Sequence, residues 1–271
     1  MQFSGKKSPL QKNPKSKILE NGYINVYSSL NPKEKRQLDF KRLYKEQRPK
    51  WDETLVYLAA KFQELLPKDS IVLDLGCGRG NYVIDENRKN IQWAVGLDVA
   101  EEHTKGNICL DEIFYGGAEN LPFEDASFDV VVSLWVLEHL ENPEKVFAEV
   151  TRVLKPGGYF LFAAPNKGYL PLRLADMLGK VGLIEKLVDM LFGRKEKDVF
   201  PAFYRANCIK DIKNLLPNEM TVEELGYNFD PSYTSFNKFT FNFTRLVKSL
   251  QDSLGVHFWD SHLIGIIKKS V

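Results

Sequence analysis

One stretch, Ile71-Val-Leu-Asp-Leu-Gly-Cys-Gly-Arg-Gly80, constrains the fold of this chain more than any other. Its apolar, β-branched start follows a turn cluster at residues 67–70 and is typical of a short buried strand. The alternating glycines that follow allow the backbone to bend sharply and to lie directly against a ligand. The sequence therefore predicts a strand that delivers a ligand-binding turn to the edge of a sheet.

The spacing of these glycines distinguishes two kinds of nucleotide-like ligand. Gly76, Gly78 and Gly80 follow Asp74, whereas a dinucleotide fingerprint would place its third glycine at position 81, which is Asn81. The pattern that begins at Asp74 resembles the first motif of the class I S-adenosylmethionine (SAM)-dependent methyltransferases. An unrelated glycine-rich turn between a strand and a helix is the alternative interpretation.

Strands alternate with helices after this turn. Apolar runs predict strands at 91–98, 113–116, 128–134 and 159–164, and a helix follows the fourth strand at 143–154. Alternation of near-continuous apolar runs with helices favours a parallel sheet that is covered on both faces. Ligands of such sheets bind beyond the carboxyl ends of the strands, at the topological switch point.

Three later segments match the same family in the same order. Residues 117–129 resemble the segment after the third strand in the type 11 methyltransferases, and residues 134–143 resemble the segment beside the methionine end of the cofactor. Residues 155–158, Lys-Pro-Gly-Gly, match the turn before the fifth strand. Over roughly residues 70–166 the chain therefore resembles a class I SAM-dependent methyltransferase of the type 11 kind.

The resemblance implies an α/β fold with a doubly wound, mostly parallel, seven-stranded sheet of the Rossmann-like type. Its last strand is expected to be antiparallel, with strands six and seven at 219–225 and 261–268. The expected domain organisation is a flexible basic tail (1–17), an N-terminal helical extension (18–50) and a methyltransferase domain (51–271) with cap insertions at 167–207 and 227–259.

The resemblance also implies SAM as the cofactor and a set of residues that hold it. Asp98, at the end of strand two, can accept hydrogen bonds from both hydroxyls of a ribose. Asp74 is expected either to approach the ammonium of the methionine end or only to pin the turn. The implied cofactor-binding residues are Asp74, Gly76, Cys77, Gly78, Gly80, Asp98, Val99, Ala118, Glu119 and Trp135, and no metal site is expected.

The best candidate for a general base is His139, which directly follows strand four and has an ordinary pKa near neutrality. Its alternative role is purely structural. Glu138 is interpreted as a second base, as a partner that orients His139 or, preferably, as a surface carboxylate. Expected substrate contacts are Tyr204, Arg205 and Tyr23, with simple packing or anchoring as the alternative.

The main functional hypothesis is transfer of a methyl group to an oxygen of a small, partly apolar molecule. Alternatives are N- or C-methylation, a SAM-binding partner protein without turnover, and an NAD(P)-dependent oxidoreductase, against which Asn81 argues. An aromatic-rich stretch at 227–243 is expected to form the core of a cap, with a dimer surface or a pocket wall as alternatives.

Composition restricts the partners. A net charge of +1 does not indicate nucleic-acid binding, although residues 1–50 carry thirteen Lys and Arg against four Asp and Glu. Three widely spaced cysteines favour free thiols and a cytoplasmic location. No apolar run is long enough to span a membrane. Transient contact with a membrane surface is kept as an alternative. The chain is expected to be a monomer or a homodimer.

Overall fold

The computed structural model describes residues 32–179 and 201–271. Within these ranges the helices are α1 (Pro32–Gln47), α2 (Thr54–Leu65), α3 (Tyr82–Asn87), α4 (Glu101–Thr104), α5 (Pro143–Val153), α6 (Leu170–Gly179), α7 (Ile209–Leu215) and α8 (Lys238–Leu254). The strands are β1 (Ser70–Leu75), β2 (Ile91–Asp98), β3 (Glu112–Tyr115), β4 (Phe128–Leu134), β5 (Leu154–Pro165), β6 (Met220–Asn228) and β7 (His262–Lys269). Short 3-10 helices lie at Arg88–Asn90, Leu137–His139 and Pro231–Tyr233.

The strands form one seven-stranded sheet in the order β3-β2-β1-β4-β5-β7-β6. Strands β1 to β5 are parallel, and β7 pairs antiparallel with both β5 and β6. The predicted fold class is therefore confirmed. The strand order reverses between β1 and β4, so the glycine turn after β1 lies at the topological switch point.

Two strands are longer than the sequence analysis predicted. β5 begins at Leu154 rather than at residue 159, because Leu154 pairs with Phe128 before the register shifts and the regular ladder starts at Tyr159. β6 extends to Asn228 because its last residues continue to pair with the start of β7.

Helices cover both faces of the sheet. Leu58 and Phe62 of α2 and Val83 of α3 are buried against one face, and the valine stripe of α5 is buried against the other. Pro143 suits the first turn of α5, where a missing N–H costs no hydrogen bond. This burial on both sides explains why the central strands consist of nearly uninterrupted apolar residues.

A third apolar cluster lies in the cap and joins α1 to α8. Its buried members are Phe40, Tyr44, Phe229 and Phe241. The aromatic-rich stretch is thus partly cap core, as expected, but Phe239 and Phe243 point to the surface. In the described ranges, no helix combines the length and apolar character needed to cross a bilayer.

Candidate active site

The turn after β1 requires glycine for two different reasons. Gly76 has φ +76°, and a Cβ added there would lie 2.2 Å from Val136 Cγ2, so a side chain would clash with the loop after β4. Gly78 has φ +42°, and an added Cβ would meet nothing within 4 Å. The turn is therefore packed on one side and open on the other, as a surface for a bound molecule must be.

Asp74 lies beneath this turn and is buried. Its Oδ1 accepts a hydrogen bond of 2.8 Å from Asn81 Nδ2, while Oδ2 is buried and has no partner among the described residues. Asn81 also caps α3, because its Oδ1 accepts from the N–H groups of Val83 and Ile84. Burial raises the pKa of Asp74 to about 7, although the bond from Asn81 opposes this shift.

Asp98 ends β2 and is held in place by the backbone. Its Oδ2 accepts from Gly78 N (2.9 Å), and its Oδ1 accepts from Val99 N (2.8 Å) and faces His103 Nδ1 at 3.0 Å. A carboxylate offers about four acceptor positions, so these contacts leave room for roughly one more donor. A ribose that uses both hydroxyls on Asp98 would share Oδ1 with His103 or displace it.

The loop after β3 is held against the start of α5. Glu119 Oε1 accepts from Asn142 Nδ2 at 2.9 Å, and its Oε2 lies 3.4 Å from Lys145 Nζ. The bond from Asn142 lowers the pKa of Glu119, with Lys145 adding to the effect. Ala118 is partly buried, and Val99 exposes its apolar side chain beyond β2.

Trp135 follows β4 with φ +62°, a conformation that costs a bulky residue free energy and that often marks a functional site. Its backbone N–H donates to Ala163 O at 2.9 Å, which fixes the turn against β5. Its ring lies 4.7 Å, centroid to centroid, from the ring of His262. Cys77, in contrast, is buried, and burial raises the pKa of its thiol, so it contributes backbone rather than reactive sulfur.

A cleft of about 320 Å³ opens at the carboxyl ends of β4 and β5. It is lined by Trp135, Glu138, Pro165, Tyr169, Leu172, Tyr233, Ser261 and His262. Aromatic and apolar side chains form most of this wall, with a few polar groups among them, as is usual for small-molecule sites. A larger and more open groove of about 590 Å³ lies around Asn166, Arg173 and Phe258, but it includes no residue of the glycine turn or of the loop after β4.

His262 is the centre of a buried polar network in the cleft wall. Its Nδ1 lies 2.8 Å from Thr54 Oγ1 and its Nε2 lies 3.3 Å from the Tyr233 hydroxyl. Burial lowers the pKa of His262 to about 4, although Asp230 opposes this shift, so the imidazole is neutral near pH 7. Lys41 lies 3.0 Å from Asp230 and holds the pKa of that carboxyl below its usual value despite its burial.

The segment that follows residue 200 is joined to the loop after β4 by main-chain contacts. The carbonyl of Glu138 accepts from Phe203 N (2.7 Å) and Tyr204 N (3.2 Å), and Arg205 Nη1 donates to Glu141 O at 2.6 Å. These contacts bring the predicted substrate residues Tyr204 and Arg205 next to Glu138. Tyr204 has φ +53°, a second non-glycine residue in the left-handed region near the cleft.

Glu138 and His139 occupy different environments. The Glu138 side chain is 8% exposed and lines the cleft, so the preferred interpretation of a surface carboxylate is wrong. His139 is 33% exposed, its Nδ1 lies 2.8 Å from Pro201 O, and its Nε2 lies 3.9 Å from Glu138 Oε1. A carbonyl partner requires Nδ1 to carry the proton, which leaves Nε2 as the acceptor.

The sequence analysis covered Tyr233 through the pocket-wall alternative for residues 227–243, but it missed Tyr169, Ser261 and His262 in the cleft wall. A signal for the last two was present, because an antiparallel seventh strand must begin at the edge where β5 ends, and His262 indeed pairs with Pro165. Tyr23, a predicted substrate contact, lies outside the described residues. Among the described residues, no group of three His, Cys, Asp or Glu side chains could hold a metal ion.

Comparison with known proteins matches this architecture to methyltransferases. The family described as "Methyltransferase domain" matches residues 73–162. An uncharacterized protein of Methanocaldococcus jannaschii is 30% identical over 218 residues, which cover 73% of this chain and 81% of that protein. A tRNA (carboxymethyluridine(34)-5-O)-methyltransferase of Arabidopsis thaliana is 36% identical over 108 residues, which cover 38% of this chain and 26% of that enzyme.

A solved SAM-dependent methyltransferase from Methanosarcina mazei is similar in fold, with a TM-score of 0.52, 19% identity and coverage of 78% of this chain and 97% of that chain. This chain belongs to the class I SAM-dependent methyltransferases. The predicted family, enzyme class and cofactor are therefore confirmed.

The residues around the glycine turn fit SAM. The buried Asp74 Oδ2 lacks a partner, and a cationic ammonium is the kind of donor that such an oxygen would accept. The open side of Gly78 lies beside the fixed carboxylate of Asp98, which ends the neighbouring strand β2 and accepts the N–H of Gly78. When bound, SAM supplies an activated methyl group on a sulfonium. The protein therefore has to bind the cofactor, orient its methyl group towards the acceptor and exclude water from the site.

Proposed function

We propose that this methyltransferase acts on a hydroxyl group of a small, partly apolar molecule bound in the cleft beside Trp135. The cleft itself is the observation that carries this proposal, since an apolar and aromatic wall of about 320 Å³ surrounds a few polar groups. The Tyr233 hydroxyl, which faces the neutral His262, can hydrogen-bond an acceptor hydroxyl without leaving a buried charge unpaired.

An oxygen nucleophile is activated when a base removes its proton. We propose Glu138 as the group that receives this proton, because its buried carboxylate lines the cleft. Once Glu138 carries this proton, the acceptor nitrogen Nε2 of His139, which lies 3.9 Å from Glu138 Oε1, is the group that can stabilise it, while Nδ1 of His139 stays anchored on the Pro201 carbonyl. The sequence-based choice of His139 as the base itself is the alternative, and the two assignments predict different variant kinetics.

The names of several relatives support O-methylation. They include a malonyl-[acyl-carrier protein] O-methyltransferase of Marinomonas, 34% identical over 119 residues, and a ubiquinone biosynthesis O-methyltransferase of Maricaulis maris, 36% identical over 104 residues. The matched regions cover 42% and 41% of those enzymes, so this chain spans less than half of each. A sterol 4-C-methyltransferase of Caenorhabditis elegans, 32% identical over 98 residues, keeps C-methylation as the second candidate.

The test is a methylation assay with isotopically labelled SAM and a matched set of acceptors. The acceptors differ only in whether they carry a hydroxyl, an amine or a nucleophilic carbon atom. We expect label in ether or ester products, identified by mass spectrometry of the methylated position. Label found only on nitrogen or carbon would overturn the choice of oxygen. SAM binding without label transfer to any acceptor of the panel or of a metabolite extract would favour a SAM-binding protein without turnover.

A further inference from the structure

Helix α1 directs one of its cations into the protein. The Lys41 side chain is 20% exposed, and its Nζ lies 3.0 Å from Asp230 Oδ2 and also contacts Glu53 Oε1. Lys45, one turn further along α1, pairs with Asp52 at 2.7 Å, and these two side chains are 44% and 40% exposed. Of the two lysines, Lys41 reaches a buried carboxylate, since the Asp230 side chain is 6% exposed.

The two carboxylates that this ammonium contacts belong to the two segments that hold the imidazole of His262. Glu53 directly precedes Thr54, whose Oγ1 lies 2.8 Å from His262 Nδ1. Asp230 caps the short 3-10 helix that carries Tyr233, whose hydroxyl lies 3.3 Å from His262 Nε2. A single ammonium on α1 therefore joins the segments on both sides of a residue in the cleft wall.

Asp230 fixes several groups of the cleft wall at once. Its Oδ1 accepts from Ser232 N at 2.8 Å and from Ser232 Oγ at 2.6 Å, while its own N–H donates to Ser261 Oγ at 3.0 Å. Ser261 and Tyr233 both line the cleft. The second carboxylate oxygen, Oδ2, faces Lys41. Displacement of this carboxylate would therefore move two groups that an acceptor in the cleft would contact.

We propose that Lys41 of α1 is a positioning residue of the acceptor cleft, because its ammonium holds together the two segments that contact His262. This inference rests on the proposed function, since it takes the cleft beside Trp135 as the site of the methyl acceptor. A buried polar network whose members are hydrogen-bonded is rigid, and it keeps its neighbours in one arrangement. Helix α1 thereby becomes part of the acceptor site, although no described residue of α1 lines the cleft.

Lys41 also acts on the charge of His262. Burial is the largest cause of the lowered pKa of His262, about 4, and beyond burial Asp230 raises this pKa while Lys41 lowers it. The other groups that face the imidazole or share its cleft are Thr54 of α2, Tyr233 of the 3-10 helix, Trp135 after β4 and the carboxylate of Glu138. Without the ammonium, the Asp230 carboxylate would favour the imidazolium. Loss of Lys41 should therefore move the titration of His262 to higher pH.

The experiment is an NMR titration of the four histidines in the isotopically labelled full chain, with the His262 signal assigned from His262→Gln. Lys41→Gln and Lys41→Met remove the charge, Lys41→Arg keeps it, and Lys45→Gln is the matched control on the same helix. We expect His262 to stay neutral from pH 8 down to about pH 5 in the wild type, in K41R and in K45Q. In K41Q and K41M it should take up its proton at a higher pH. The glutamine keeps an N–H donor for the two carboxylates, so K41Q gives the answer if K41M does not fold.

Methyl transfer from labelled SAM to the hydroxyl-bearing member of the acceptor set is the second readout. In K41Q, kcat/KM for this acceptor should fall by on the order of 10- to 100-fold with SAM affinity unchanged, because the cleft wall is displaced and the glycine turn is not. K41R should restore most of the loss, and K45Q should match the wild type.

The NMR titration needs no acceptor, so it decides on Lys41 whichever atom is methylated. An unchanged titration of His262 in a K41Q chain that still binds SAM would overturn the proposal. An equal shift in K45Q would overturn it as well, since any lysine of α1 would then have the same effect. Label found only on nitrogen or carbon would contradict the choice of oxygen in the proposed function, which is a separate result.

Discussion

The glycine turn and the acceptor cleft lie at the same edge of the sheet, but they are assembled from very different spans of sequence. The turn and its supports, Asp74, Asn81 and Asp98, are joined by hydrogen bonds between residues 7 and 20 positions apart. In the cleft, Thr54 contacts His262 across 208 positions. A local motif can therefore specify the cofactor side, whereas the acceptor side depends on how the cap packs.

This contrast also appears in the charges. The cofactor side keeps a buried carboxyl, Asp74, with one oxygen that has no described partner, and so has capacity for a cation. The acceptor side has a neutral imidazole at its centre, since burial lowers the pKa of His262 to about 4. The buried carboxyl on the cofactor side therefore suits a cationic ligand, and the neutral imidazole on the acceptor side suits an uncharged one.

The largest expected effect is a loss of kcat without a loss of SAM affinity, which distinguishes the acceptor cleft from the glycine turn. Replacing Glu138 with Gln should lower kcat by on the order of 100- to 10,000-fold and leave SAM affinity unchanged, because only proton removal is lost. H139A should lower kcat by only about tenfold, since the base itself is still present. Steady-state kinetics and SAM titration of both variants would measure this.

The control for that pair is Glu141→Gln, an exposed carboxylate of the same loop that does not line the cleft. Its kinetics should match the wild type. If H139A shows the larger loss and E138Q turns over normally, His139 is the base and the assignment to Glu138 fails.

A second expected effect concerns the close packing of the glycine turn. In Gly76→Ala, the new Cβ would lie 2.2 Å from Val136 Cγ2, and we expect a cost of about 2–4 kcal/mol in unfolding free energy together with weaker SAM binding. Gly106→Ala is matched in φ (+84°) but meets nothing within 4 Å, so it should cost only about 1 kcal/mol. Urea unfolding compares the two, and equal costs would show that the contact with Val136 is not decisive.

A third effect follows from the pKa of Asp74, which is about 7 in the folded chain against 3.8 for an unperturbed Asp. The folded state keeps this proton up to a higher pH than the unfolded state does. Ionisation of Asp74 therefore lowers the free energy of unfolding progressively between about pH 4 and 7, and the full loss is present above pH 7. Asp74→Asn should therefore raise stability without SAM by roughly 1–3 kcal/mol at pH 8 and by little near pH 4.

The same substitution should weaken SAM binding by on the order of tenfold or more above pH 7, since a charge-assisted hydrogen bond is lost. In the wild type, affinity should fall as the pH drops below about 7 and Asp74 takes up its proton. Thermal unfolding and SAM titration at two pH values would measure both parts. A destabilised variant with unchanged SAM affinity would assign Asp74 only to pinning the turn.

The sequence predicted the sheet and the strand ends around the glycine turn well because the signals for them are local. Alternating glycines, short apolar runs and Asp98 at a strand end specify the sheet, its switch point and the turn. It could not predict that Asp98 Oδ1 also faces His103, or that both oxygens of Glu119 face Asn142 and Lys145. Those contacts depend on side-chain geometry that spacing does not encode.

The acceptor side was less predictable for a physical reason. Glu138 looks like a surface carboxylate in the sequence, but its side chain is buried in the fold, and the main chain of Phe203 and Tyr204, far along the sequence, hydrogen-bonds its carbonyl. The cap stretch was expected to be core from its aromatic content, yet α8 buries Phe241 and exposes Phe239 and Phe243. Residue content predicted a packed cap, whereas the helical spacing decides which side chains face outward.

Titration calorimetry of SAM against the wild type and Asp98→Ala tests the central claim, that the edge formed by β1 and β2 holds the cofactor. We predict SAM binding in the wild type, no competing binding of NADH, and a loss of about 2–3 kcal/mol in Asp98→Ala, because hydrogen bonds to an ionised carboxylate are removed. Unchanged SAM affinity in the variant, or tight NADH binding without SAM binding, would contradict the account.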